Sequence, residues 1–123
     1  MQVWSTVAAY ALAGLFLGAG VTHFTHQRFY ARMMPLWLGG HRLWVAVTGL
    51  LEIAAAVLLI VAPTRVLGAW LAVGMLTAFL LVHVNMFFDA EAAMGLPRWA
   101  LWLRLGAQFA LIAVALVAAG LFT

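Results

Sequence analysis

The chain contains no cysteine and no lysine, and only three of its 123 residues are acidic. Without cysteine there is no disulfide, no thiol relay and no thiolate-held metal within it. Its six cations are all arginine, dispersed from Arg28 to Arg104. They form no basic stripe of the kind that tracks a phosphate backbone, so nucleic acid is not an expected partner. Charged residues amount to 7%, against roughly a quarter in a soluble domain. That is too little polar surface to face water. What is present instead is apolar: 68% of the residues, with a strongly positive mean hydropathy. The chain reads as an all-α membrane protein with one domain over residues 1–123.

Four apolar runs, at about 3–23, 42–62, 66–88 and 98–122, predict a four-transmembrane-helix antiparallel bundle. About 20 residues at ~1.5 Å each give roughly 30 Å, the thickness of a bilayer's hydrocarbon core. Pro63 ends the second run, and Pro97 suits the first turn of the fourth. The three-residue connector Pro63-Thr64-Arg65 makes the second and third runs antiparallel neighbours. The first run has no basic n-region, and Thr22, His23 and Phe24 stand where a cleavage site would need small residues. It reads as a retained helix and not a cleaved signal peptide.

An even number of spans puts both termini on one side. The first and third loops hold Arg28, Arg32, Arg42 and Arg98, so the positive-inside bias predicts cytoplasmic loops and external termini. The first loop, FTHQRFYARMMPLWLGG, mixes basic and aromatic residues with the breakers Pro35, Gly39 and Gly40. It predicts a short amphipathic interfacial segment from Thr25 to Met34, presenting Phe29, Tyr30 and Met33 to lipid or to the bundle and partly capping it. Trp4, Trp37, Trp44, Trp70, Trp99 and Trp102 read as interfacial belt residues. Gly14 and Gly18 form a small-xxx-small pair, for which close packing within the chain is the first expectation and a homodimer interface the second.

Polar residues inside the runs point to a site. Glu52 lies near the middle of the second run, where a charge costs at least ~2.5–3.5 kcal/mol and calls for a partner. Arg104 is the only other formal charge inside a run, and the two are expected to face each other. Thr48 and Glu52 are four residues apart, as are Arg104 and Gln108, so each pair shares a helix face. Counted by helical rise, His23, Thr48, Glu52, His83, Asn85, Arg104 and Gln108 all fall in the half of the bilayer that bears the long loops. The other half is mostly Ala, Val, Leu, Ile and Gly. This pattern predicts a pocket open to one surface and not a through-channel. The alternative is structural, with Glu52 and Arg104 neutralising each other and setting helix register. His23 and His83 suit interfacial hydrogen bonding or proton handling. Nothing further supports a metal on His23, His26 and His83, or bis-histidine haem ligation, so no metal site is expected.

Four stretches carry a resemblance: GAGVTHF with His23, VTGLLE with Gly49 and Glu52, VHVNM with Asn85, and WLRLGAQ with Arg104 and Gln108. In this order and spacing they resemble the DoxX family of small four-helix membrane proteins, over nearly the whole chain. That family takes its name from a membrane subunit of a thiosulfate:quinone oxidoreductase, and other members are linked to redox homeostasis. The resemblance implies a bacterial inner-membrane protein binding a quinone or other small amphiphile as part of a membrane redox system. No covalently bound cofactor is implied, and any electron transfer needs a soluble or membrane oxidoreductase partner. The absence of cysteine speaks against direct sulfur chemistry in this chain. Alternative readings are a non-catalytic membrane anchor or assembly subunit, and a proton-coupled carrier for a small anion.

Overall fold

A backbone in hydrocarbon must satisfy its own polar groups, so long apolar runs become helices. The fold was taken from a computed structural model that describes residues 2–121. Its helices are α1 (Gln2–Thr25), α2 (Gln27–Met33), α3 (His41–Ile60), α4 (Arg65–Asn85), α5 (Ala90–Ala93) and α6 (Arg98–Ala118). The four long helices are each long and apolar enough to cross a membrane. Among the described residues α1 packs on α3, α3 on α4, α4 on α6 and α6 on α1. The ring places α1 across from α4, and α3 across from α6.

Helix ends depart from the predicted bounds for local reasons. Gly40 takes the left-handed conformation, φ 67°, and launches α3 at His41. α3 stops at Ile60, two residues short of expectation, because Pro63 diverts the chain into a 3-10 turn over Ala62–Thr64. α4 ends at Asn85 and α6 at Ala118; Gly120 then reverses the backbone at φ 98°, and the predicted end at 122 lies outside the described residues. The interfacial helix between the first two spans is shorter than predicted. It buries Met33 and leaves Arg28, Phe29 and Arg32 exposed.

The bundle is divided along its length. The half nearer the termini is dry and built on small residues: Ala9 and Ala13 of α1, Ala55 and Ala56 of α3, Ala69 and Ala72 of α4, Ala115 and Ala118 of α6, filled by Leu12, Phe16, Leu59 and Leu76. Alanines let the backbones approach, which replaces the hydrophobic drive that lipid does not provide. Large apolar side chains such as Val7, Leu50, Leu67 and Leu103 instead cover the outside. At the loop end a second cluster, Met33, Met86, Ala92 and Leu101, seats α2 and α5 on the bundle.

One arginine closes the α3–α4 turn. Arg65 donates from Nε to the Leu59 carbonyl at 2.9 Å, and from Nη2 to the Ile60 carbonyl at 3.1 Å and the Tyr10 hydroxyl at 3.3 Å. Its guanidinium also lies 5.1 Å from the centre of the Tyr10 ring. It therefore satisfies carbonyls that the end of α3 would leave open and ties the turn to α1. Replacing Arg65 with alanine is expected to lower stability by about 2 kcal/mol, since charge-assisted bonds to backbone carbonyls are lost. Thermal unfolding in detergent, with Arg65→Lys as the partial rescue, checks this.

Candidate functional site

Two glycines determine how α1 meets α3. A Cβ on Gly49 would lie 2.8 Å from His23 Cβ and 3.2 Å from the Gly20 carbonyl oxygen. One on Gly20 would lie 2.7 Å from Ile53 Cγ1 and 2.9 Å from the Gly49 carbonyl oxygen. The backbones touch here because neither residue has a side chain. Gly20 precedes His23 by three positions and Gly49 precedes Glu52 by three, so the crossing sets these side chains against each other. His23 Nε2 lies 3.5 Å from Glu52 Oε1, and both residues are buried.

This corrects the expected pairing. Glu52 meets His23 and not Arg104, because α3 and α6 stand diagonally across the ring while α1 is in direct contact with α3. Arg104 is exposed and makes no ion pair among the described residues. It lies within electrostatic range of His83 instead.

The helices enclose a cavity of about 550 Å³ in the loop-end half. His23, Thr48, Glu52, His83, Arg104 and Gln108 all line it, so the four-residue spacings on α3 and α6 do turn both members of each pair inward. Asn85 does not. Its side-chain amide turns away to donate to the Met33 carbonyl at 3.3 Å, which holds the end of α2 against α4. At the terminus of its helix it reaches the loop before it reaches the cavity.

Most polar groups of the wall are fixed by protein partners. His23 Nδ1 bonds the Ala19 carbonyl at 2.7 Å, and Thr48 donates to the Trp44 carbonyl at 2.8 Å. Gln108, buried, donates to the Leu76 carbonyl at 2.7 Å. Among the described residues, two buried polar atoms are left without a partner: Glu52 Oε2 and His83 Nδ1. Glu52 is 2% exposed and His83 7% exposed. An unmet buried polar atom costs about 1–3 kcal/mol, more where charge is involved, so these two mark where a ligand would improve the structure.

Sequence reasoning missed Tyr30 as part of this wall. Its ring stacks on His23, centroids 3.9 Å apart and planes 18° from parallel, and its hydroxyl meets Thr22 Oγ1 at 2.7 Å. Tyr30, Met33 and Met34 form the roof over the cavity, with Phe79 on the α4 wall. The signal was the amphipathic pattern of α2, which offered lipid or the bundle as the neighbour of Tyr30 without choosing. His26 lies outside the cavity, exposed, with Nδ1 2.7 Å from Thr25 Oγ1.

Gly14 and Gly18 also behave unlike the first expectation. No neighbouring atom lies within 4 Å of a Cβ built on either, so they are not a packing surface within the chain. They are exposed and line the cavity on α1, with Arg104, Gln108 and Leu111 on α6 opposite. Of the four pairs in the ring, α1 and α6 are the least extensively packed. The cavity thus has a bare margin on the bundle's flank, where side chains are missing.

No curated protein and no solved structure matches the chain. Its residues 12–119, which include every residue of the cavity wall, match a family model. The chain belongs to the family described as "Domain of unknown function (DUF8561)".

Proposed function

We propose that this is a DoxX-like inner-membrane protein whose cavity takes a quinone-type or other small amphiphile out of the bilayer, within a membrane redox system. The observation that carries the reading is Glu52: a carboxyl group 2% exposed, with one oxygen unpartnered, on the wall of a largely apolar cavity. A polar cluster that served only to set helix register would have its groups paired, and this one leaves two atoms open. Ligand pockets have this composition, a mostly apolar lining with a few fixed polar groups.

The residues fit a quinone-type head. Glu52 and His83 would meet its oxygens in the depth of the cavity and Arg104 at the rim, while the apolar tail would leave past Gly14 and Gly18 into lipid. The head group itself supplies the electron chemistry, and the chain supplies binding, orientation and a proton site. Electrons would come from a partner oxidoreductase. The arginines Arg28, Arg32, Arg42 and Arg98 support a reading with the roofed end of the cavity on the cytoplasmic side and both termini outside.

Native mass spectrometry with lipid extraction tests it. Wild-type protein purified in mild detergent should carry an amphiphile, and Glu52→Gln should retain at least about tenfold less, the effect of changing one buried charged partner. Protein that is empty in both forms, with unchanged folding, would return the cluster to a structural role.

A further inference from the structure

Carbonyl partners fix several of the hydrogen atoms on the cavity wall. Nδ1 of His23 faces a carbonyl oxygen, which only accepts, so that nitrogen carries the ring proton. Nε2 of the neutral ring then offers a lone pair, and it faces Glu52 Oε1 at 3.5 Å. Two lone pairs facing each other repel, so the favourable arrangement holds one proton between the two groups, on Oε1 or on Nε2. In both cases Glu52 Oε2 has lone pairs only. It is a buried acceptor with no donor.

The wall's donors do not serve it. The Thr22 hydroxyl donates to the Ala19 carbonyl at 2.8 Å, which leaves Tyr30 to donate its hydroxyl hydrogen to Thr22 Oγ1. Thr48 and one hydrogen of the Gln108 amide are committed to the carbonyls of Trp44 and Leu76, and neither group bonds Glu52 Oε2. Arg104 has free donors, but it is exposed, at the rim. His83 Nδ1 is the other open atom and takes either sense, according to its tautomer.

We infer that the cavity selects an amphiphile whose ring head donates a hydroxyl hydrogen to Glu52 Oε2: a quinol in preference to the corresponding quinone. This rests on the reading above that the cavity holds a membrane amphiphile, and it adds the form in which that ligand binds. A quinone presents only carbonyl oxygens, which would set lone pairs against Oε2. A quinol presents a donor there, and its second hydroxyl can accept from or donate to His83. His23 is the positioning residue, because it holds the shared proton away from Oε2.

The test uses three probes with the same decyl tail: the hydroquinone, the benzoquinone and the hydroquinone dimethyl ether, which cannot donate. Affinities are read by thermal stabilisation of the purified wild-type protein in nanodiscs, without oxygen. The hydroquinone should bind about tenfold or more tightly than either of the others, the effect of leaving one buried acceptor unmet. Equal binding of all three, or preference for the benzoquinone, overturns the inference but keeps the cavity as an amphiphile site. Absence of binding by any probe removes both. In His23→Phe, which keeps a ring against Tyr30, Glu52 is free to place a proton on Oε2 and donate. The ratio of hydroquinone to benzoquinone affinity should then fall towards one, a readout that loss of packing alone would not move. The wild-type ratio decides the matter if that variant does not fold.

Discussion

Gly49→Leu is expected to lower stability by about 3 kcal/mol, the upper range for forcing extra atoms into a packed interior. Even the first added carbon would lie 2.8 Å from His23 Cβ and 3.0 Å from the Phe24 ring, with the Gly20 carbonyl 3.2 Å away. A rigid backbone and a side-chain root stand in its way, so relief requires α1 and α3 to separate. That separation also pulls His23 from Glu52, which depend on the crossing for their 3.5 Å approach. Thermal unfolding should show the loss, and ligand retention should fall with it. A variant as stable as the wild type would mean that the crossing does not hold the bundle together.

Gly18→Leu should do the opposite to stability and the same to binding. Nothing lies within 4 Å of its added Cβ, and exchanging a mid-helix glycine for a better helix former is worth roughly 0.5–1 kcal/mol. The unfolding temperature should hold or rise. Helical side chains lean back over the preceding turn, so the leucine would lie across the bare margin towards Gly14. Amphiphile retained through purification should drop at least about tenfold, the effect expected of blocking the seat of an apolar tail. Full retention in this variant would show that the ligand passes elsewhere. The same change at two glycines therefore separates the crossing from the opening.

The two glycine pairs also show where sequence reading stops. Gly14 and Gly18 match the small-xxx-small signature, yet the close approach of α1 to α3 falls at Gly20 and Gly49, which share no such pattern within one helix. Spacing along a helix says which residues share a face; it does not say which neighbour that face meets. The four spans were legible because hydrocarbon thickness constrains length and composition strongly. The half of the bundle holding the polar residues was legible too, because helical rise converts position into depth. Partners were not. Whether Glu52 meets α1 or α6 depends on the order of helices around the ring, which short loops restrict but do not determine. Asn85 shows the limit of depth counting: it has the right height and faces the Met33 carbonyl at the end of α2.

The alanine-lined half of the bundle has an electrical consequence. Among the described residues its buried interior holds only Ala, Leu, Phe and Met, so no hydrogen-bonded chain of side chains can be strung through that core. On the proposed function, protons exchanged at Glu52 and His23 come and go from the roofed end, since the other end insulates. A group that exchanges protons can thus sit midway through the membrane without short-circuiting the proton gradient across it.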